Sequence, residues 1–386
     1  MRYLYYIFII GLLASCGVMI SQEDGEQMEW SIFRGSPSLC GYPPCSLPAE
    51  PTLSWSISRQ TRTVAAPIVH DSVVYTLSRK GDMIGYSLDG DSCLSYSLGN
   101  PVEASFIIDK DRIFIGRIDG MVTALAINRN TMTGRKELSE LWNFETEGQI
   151  SGSPNIIDDH LLIGSYDNFM YTLDAATGAK ISQFETGYYI NGAAAVSNKN
   201  LVFGGCDSWL RIINSDTGTA CDSLLLDSYV PASPAIWDDA ITISDYQGNV
   251  YDIRIDAQGK ILSHTKLHEA SGDKSEEGEG SVAMPTVTAD AVYLLTGDRY
   301  LTRINRKDAS VVWQKMLRGT TGECAPLVAQ DKVLVCTKDG HVSIFDAKDG
   351  TELWHYEVGE QIIASPAIID RRFYILTSRG TLLCFS

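Results

Sequence analysis

A slot holding a small residue and then proline recurs along this chain, and its spacing restricts the fold more than any other feature. Pro67, Pro154, Pro234, Pro285, Pro326 and Pro366 occupy it, and Ser105 and Ala194 hold equivalent places without proline. Neighbouring slots stand 38, 49, 40, 40, 51, 41 and 40 residues apart, a period near 40 with two longer intervals, which makes eight repeats. The last complete repeat shows what one unit contains. Asp346 and Gly350 are turn chemistry, because aspartate bonds its own backbone two residues on and glycine accepts the left-handed conformation that ends a tight reversal. Residues 353–358, 367–369 and 373–376 are rich in strand formers and are separated by turn residues. A period of about 40 to 50 residues with four strands per repeat is the pattern of a propeller blade. The expected fold is therefore all-β, an eight-bladed propeller of four-stranded antiparallel blades spanning residues 30–386.

Tryptophan placement agrees with this. Trp55, Trp142 and Trp354 each lie twelve residues before a proline slot, and Trp313 lies thirteen before Pro326. Blades diverge like spokes, so the gaps between neighbouring sheets widen with radius and need the largest side chains on the outer strand. Small residues gather instead in the inner slots, as in Ser151-Gly152-Ser153, 191–195 and 231–233. Asp346-x-x-x-Gly350-x-x-x-Trp354 thus reads as a structural blade-docking pattern. The chain stops at Ser386, after the third strand of the eighth repeat, while Trp55 precedes the first slot. Leu53–Ser58 is accordingly expected to supply the missing outer strand and to close the ring with strands from both termini. Two insertions break the period: residues 128–140, between the third and outer strands of blade two, and residues 268–281, between blades five and six. Both are read as surface excursions, on opposite ends of the ring.

The amino terminus has a different character. Arg2 is a short basic region, 4–13 an apolar run, and Leu13-Ala14-Ser15-Cys16 resembles the lipobox of bacterial lipoproteins. That resemblance implies cleavage before Cys16, acylation of Cys16, and a tether over residues 17–29. The alternatives are a plain signal peptide or an uncleaved anchor running on through Ile20. Gly17 is not the aspartate that retains such proteins at the inner membrane, so the resemblance implies the outer membrane, with the periplasmic side as the expected face.

Trp30-Ser31-Ile32-Phe33-Arg34-Gly35, with Gly41 soon after, resembles the Trp-x-x-Phe-Arg-Gly opening of exported proteins with pyrroloquinoline-quinone-like (PQQ-like) propeller repeats. The resemblance covers nearly all of the expected mature chain. Within it, lipobox, repeat type, blade count and length are similar to the barrel-assembly lipoprotein (BamB) family, which implies a non-catalytic envelope scaffold that binds a protein partner and assists insertion of β-barrel proteins. The related quinoprotein dehydrogenases imply the other reading, a quinone over the axis with calcium and an adjacent-cysteine disulfide. This chain has no Cys-Cys pair and no Cys-x-x-Cys-His. No cofactor is expected.

Charge and cysteines narrow the partners. A formal net charge of -17 disfavours nucleic acid, whose phosphates demand basic surfaces, and electrostatic docking to anionic lipid. The acyl chains would then be the membrane link of a monomeric propeller. Cys40 and Cys45, around Gly41 and Pro43-Pro44, are the candidate disulfide, since these residues can fold the chain back in an oxidising compartment. So short a loop would contribute about 2 kcal/mol. Cys324 and Cys336 are symmetric about Gln330 in an expected inner hairpin, and Cys93, Cys206, Cys221 and Cys384 read as small core residues.

Nothing in the sequence nominates a catalytic residue or a metal ligand. His264 and His268 stand four apart, a metal spacing on a helix, but fall on an expected strand. Glu276, Glu277 and Glu279 lack the alternating Asp/Asn pattern of a calcium loop. Tyr166, Phe169, Tyr188 and Tyr189 are the aromatic candidates for an alternative role, a surface lipoprotein binding glycans or nutrients.

Overall fold

The computed structural model describes residues 29–270, 284–296 and 299–386. The described residues form eight four-stranded antiparallel sheets arranged as blades, with one short 3-10 turn at Phe33–Gly35. Blade three shows the common plan: Asn155–Ile157 innermost, then His160–Gly164, Phe169–Asp174 and Lys180–Glu185 outermost. Its second strand is buried almost throughout, whereas Lys180–Glu185 alternates between exposed and half-buried. Inner strands are covered on both faces by neighbouring blades and so are nearly continuous in apolar residues; outer strands keep one face in water.

The ring closes with strands from both ends of the chain. Leu53–Ser58 pairs antiparallel with Thr381–Phe385, Trp55 opposite Cys384 and Ser58 opposite Thr381. Beyond the strand, Thr52 and Ser386 exchange both backbone hydrogen bonds, at 2.8 and 3.1 Å. One slot is displaced from the expected register. The residue directly before the inner strand of blade two, Ile107–Asp109, is Phe106 and not Ser105. Ser105 matches the residue before proline in the other blades, such as Ser153 and Ser233.

Outer-strand tryptophans reach across to the next blade. Trp55 Nε1 donates to Leu88 O at 3.0 Å, Trp142 Nε1 to Ala175 O at 3.2 Å and Trp313 Nε1 to Ala347 O at 3.1 Å. Each acceptor lies in the third-to-outer turn of the following blade. In those turns the aspartate carboxylate gathers backbone amides: Asp346 Oδ1 accepts from Lys348 N at 2.7 Å, and Asp174 Oδ1 from Thr177 N at 2.8 Å. The turn glycine then lies under the neighbour's indole. A Cβ on Gly178 would come within 2.6 Å of the Trp142 ring, and one on Gly350 within 2.8 Å of Trp313. Trp354 has no such turn ahead of it, because blade eight takes its outer strand from the other terminus; it packs edge-on against Phe385 at 5.6 Å instead.

The segment after Glu29 is the feature that the repeat does not contain. It runs across the axis and pairs with the inner edges of successive blades. Trp30 and Val69 exchange hydrogen bonds at 2.7 and 3.0 Å; Ile108 N donates to Ser31 O, Val196 N to Pro37 O, Ile236 N to Ser38 O, Val287 N to Cys40 O and Val328 N to Gly41 O, all between 2.8 and 3.0 Å. Blade three joins through its side chain, Asn155 Nδ2 to Pro37 O at 2.8 Å. Innermost strands present unpaired amides that burial would make costly, and this plug satisfies one in each of blades one, two and four to seven. Arg34 fixes its fold. The fully buried guanidinium donates from Nε to Leu39 O at 2.9 Å and from Nη2 to Pro285 O at 2.8 Å and Thr286 Oγ1 at 2.7 Å. Burial lowers its pKa to about 10, so it stays cationic at neutral pH, held by carbonyl dipoles. A side chain on Gly41, at φ 71°, would overlap that guanidinium.

Of the two insertions, residues 128–140 lengthen a hairpin: Met121–Arg129 and Lys136–Glu145 pair out to Arg129 opposite Lys136. Lys136 Nζ reaches Asp71 of blade one at 2.7 Å. The other leaves the outer strand Ile261–His268, and most of it, with Glu276, Glu277 and Glu279, lies outside the described residues, as does Cys16.

The expected Cys40–Cys45 bridge is not formed. Both thiols are buried but separately occupied: Cys40 sits in the plug near Ser36 Oγ and Tyr42 O, while Cys45 packs with Trp30 and Leu47 against blades one and eight. Cys324 and Cys336 share that core as free thiols, and Cys324 Sγ donates to Ala364 O of blade eight at 3.4 Å. Cys384 is also buried; Cys93, Cys206 and Cys221 are half-buried.

Three outcomes follow from this packing. A chain beginning after Arg59 loses both plug and closing strand, so its thermal transition falls or loses cooperativity; an unchanged transition would refute the closure. Gly178→Ala places a methyl group at φ 74° against Trp142 and is expected to lower stability by about 2 kcal/mol, measured by urea unfolding. Burial pushes the Cys45 thiol up to about 12 and that of Cys384 up to about 11, so neither ionises at pH 8. Iodoacetamide at that pH should spare both in the folded protein and label Cys40 and Cys45 in urea without reductant; labelling only after reduction would demonstrate the bridge.

Candidate functional site

Among the described residues, the second-to-third turns and the connections between blades open on the same end of the ring, so equivalent positions of successive repeats lie side by side around the axis. There the axis widens into a cavity of about 1290 Å³, lined by residues of blades five to eight and of the closing segment, Gln60 to Val64 among them. A chamber of about 250 Å³ continues below it and shares Val64, Glu323 and Ile363 with it. Phe33 of the plug lines this lower chamber. The axis is thus a blind funnel and not a through-channel.

Its wall is built from the small residues before each inner strand. Ala66 N donates to Ser105 Oγ at 2.8 Å, Ser105 N to Ser153 Oγ at 3.2 Å and Ala193 N to Ser233 Oγ at 2.8 Å, so a hydroxyl from one blade takes an amide of the blade before it. Gly152 approaches the next blade so closely that a Cβ would come within 2.7 Å of Gly192 O. Ser151-Gly152-Ser153 is therefore axis packing with its hydroxyls engaged, Ser151 by Gln149 Nε2 at 2.8 Å.

An aromatic sector occupies the funnel end over blades three to five. Tyr166 and Tyr189 stack with centroids 4.8 Å apart and planes at 3°, Tyr188 lies 4.3 Å from Tyr189, and the Tyr166 hydroxyl donates to Asn191 Oδ1 at 2.6 Å. Tyr188 is 50% and Tyr189 38% exposed. Phe169 does not join them; it packs beside Tyr171 in the sheet. Sequence reasoning missed a second pair, Tyr229 and Tyr246, stacked at 4.2 Å one blade further on. Burial, with the Tyr246 hydroxyl bonded beside it, pushes the Tyr229 hydroxyl up to about 12, so it remains a neutral donor. The repeat contained the signal: Tyr189 and Tyr229 stand 40 apart, Tyr166 and Tyr246 80 apart.

The funnel end is also divided by charge. Arg79 pairs with Glu103, Arg117 with Asp119 and Arg211 with Asp207. Among the residues lining the cavity over blades six to eight, Arg62, Arg299, Lys338 and Arg379 accompany one carboxylate, Glu323, with Asp339 and Glu360 in the adjoining turns. The histidine candidates lie elsewhere. His264 and His268 are both on Ile261–His268, opposite Ile253 and Val250, and burial lowers the His268 pKa. Among the described residues no group of three His, Cys, Asp or Glu is placed to hold a metal ion.

Comparison with known proteins agrees with this architecture. No curated protein sequence matches the chain significantly. The family described as outer membrane protein assembly factor BamB matches residues 252–386, from blade five to the end. The crystal structure of BamB from Moraxella catarrhalis superposes with a TM-score of 0.69 at 19% identity, over 87% of this chain and 97% of that one. Quinohemoprotein alcohol dehydrogenase from Comamonas testosteroni superposes at 0.73 with 12% identity, over 94% and 81%. A europium-containing methanol dehydrogenase does so at 0.73 with 13% identity, over 95% and 98%. Such low identities speak to the fold alone. The cavity's one carboxylate is not the oxygen-rich set a metal-assisted quinone site requires, so the described residues do not fit that cofactor. By repeat, blade count and closure, the chain is an eight-bladed PQQ-like β-propeller that resembles the outer membrane protein assembly factor BamB.

Proposed function

We propose that this chain is a non-catalytic, lipid-anchored scaffold of the cell envelope that binds a protein partner in the assembly of outer-membrane β-barrel proteins. The observation that carries this reading is the match of residues 252–386, from the third strand of blade five onward, to the BamB family. In it Cys16 is acylated, residues 17–29 form the tether, and a monomeric propeller works at the periplasmic face of the outer membrane. The funnel end supports a docking role on physical grounds. Short turns on a closed ring hold Tyr166, Tyr188, Tyr189, Tyr229 and Tyr246 in fixed stacks, and tyrosine offers a large, rigid contact area with a polar tip. Exposed stacked rings also favour a second reading, a glycan-binding lipoprotein.

An affinity pull-down from gently solubilised envelopes separates the two. The acylated chain is expected to recover the barrel-assembly pore subunit well above a Cys16→Ala control, and Tyr189→Ala combined with Tyr246→Ala should reduce that recovery. Failure to recover the pore subunit, together with a sugar-induced rise in melting temperature, would replace assembly by glycan binding.

A further inference from the structure

We infer that the cationic sector of the funnel is a second docking site, which takes an extended acidic polypeptide segment. The inference rests on the scaffold reading in taking a protein as partner, but its charged residues come from blades six to eight, beside the tyrosine sector whose Tyr246 lines the same cavity. Four cations come from four consecutive pieces of the wall: Arg299 from blade six, Lys338 from blade seven, Arg379 from blade eight and Arg62 from the connection that follows. They are exposed, and Arg62, Arg299 and Arg379 make no ion pair with any described residue. In a chain of net charge -17, Arg79, Arg117 and Arg211 of the same end each have a carboxylate, whereas Arg62, Arg299 and Arg379 have none among the described residues.

Shape selects among anions. The cations come from four successive pieces of the wall, so their backbones are spaced around the cavity as charges are spaced along an extended chain. The cavity, about 1290 Å³, exceeds the usual span for a small ligand, roughly 300 to 1000 Å³. Gln60 and Gln361 supply neutral amides that can pair with a peptide backbone, and Val64, Ile362 and Ile363 give an apolar wall between the charges. Carboxylates spaced along an extended chain meet all of these. The acidic remainder of the protein repels such a segment everywhere else, which confines it to this sector.

The test uses the full-length mature chain and a short fluorescein-labelled peptide alternating glutamate and valine, followed by fluorescence anisotropy. Binding should weaken as salt rises, and Arg62→Gln with Arg299→Gln and Arg379→Gln should weaken it by roughly tenfold. Arg135→Gln, on an exposed turn at the opposite end of the ring, should leave it unchanged. A serine-valine peptide should not bind. Equal binding by the triple variant at an unchanged melting temperature would overturn the inference, as would inorganic pyrophosphate binding in place of the peptide. The triple variant in the envelope pull-down keeps the two proposals apart: undiminished recovery of the pore subunit without peptide binding in the native chain would remove this site and leave the scaffold reading standing.

Discussion

Unpaired amides at the axis are the constraint on which the rest of this structure depends. A ring of blades buries its innermost strands on both faces yet leaves each with one edge turned inward, where neither a fifth strand nor bulk water is available. The plug solves this with backbone carbonyls, one blade after another, from Val69 through Ile108, Val196, Ile236 and Val287 to Val328. Its own compact course is set by Arg34, whose buried charge is stabilised by carbonyl oxygens of the plug and of blade six. Having crossed the axis, the same segment goes on to furnish the outer strand of blade eight. One continuous stretch therefore pairs with six of the inner strands and seals the rim of the ring.

Outward from the axis the demand reverses, from filling edges to filling volume. Tryptophan on an outer strand, a carbonyl in the next blade's turn and the glycine beneath the ring form a single contact, so motif residues cooperate between repeats and not within one. Gly350 belongs to blade seven but packs on Trp313 of blade six, and Gly178 of blade three on Trp142 of blade two. This explains why the pattern tolerates loss at Trp354, where the following blade is completed by the other terminus and Phe385 fills the gap.

The architecture was legible because periodicity reports contacts that every blade repeats. Blade number, the outer-strand tryptophans and the closing role of Leu53–Ser58 all derive from counting residues. Features peculiar to one place were not legible. Phe106 hid the slot of blade two because a large ring stands where other blades have proline or alanine. Trp30 to Gly35 could be matched to an opening motif, but nothing local tells that Arg34 bonds Pro285 and Thr286, some 250 residues away. Cys40 and Cys45 are near in sequence, and proximity was the basis for pairing them; packing assigns each to a different pocket. Tyr229, Tyr246 and the rim cations were missed for a third reason. Their chemistry is ordinary until the turns of several blades are laid side by side.

The point at which the chain joins the ring has a directional consequence. Glu29 and Ser31 lie against His70, at 3.3 and 3.2 Å, and His70 ends the inner strand of blade one, at the pole away from the tyrosines and the rim cations. In the proposed reading, a tether joined at that pole would bear on how the ring is presented. Were Cys16 embedded in a bilayer, residues 17–28 would allow a standoff of at most about 40 Å, and the propeller would hang with its funnel looking outward from the lipid. The membrane-proximal pole would then carry the lengthened hairpin of blade two, and the receptive pole would face the aqueous space from which unfolded or extended chains arrive.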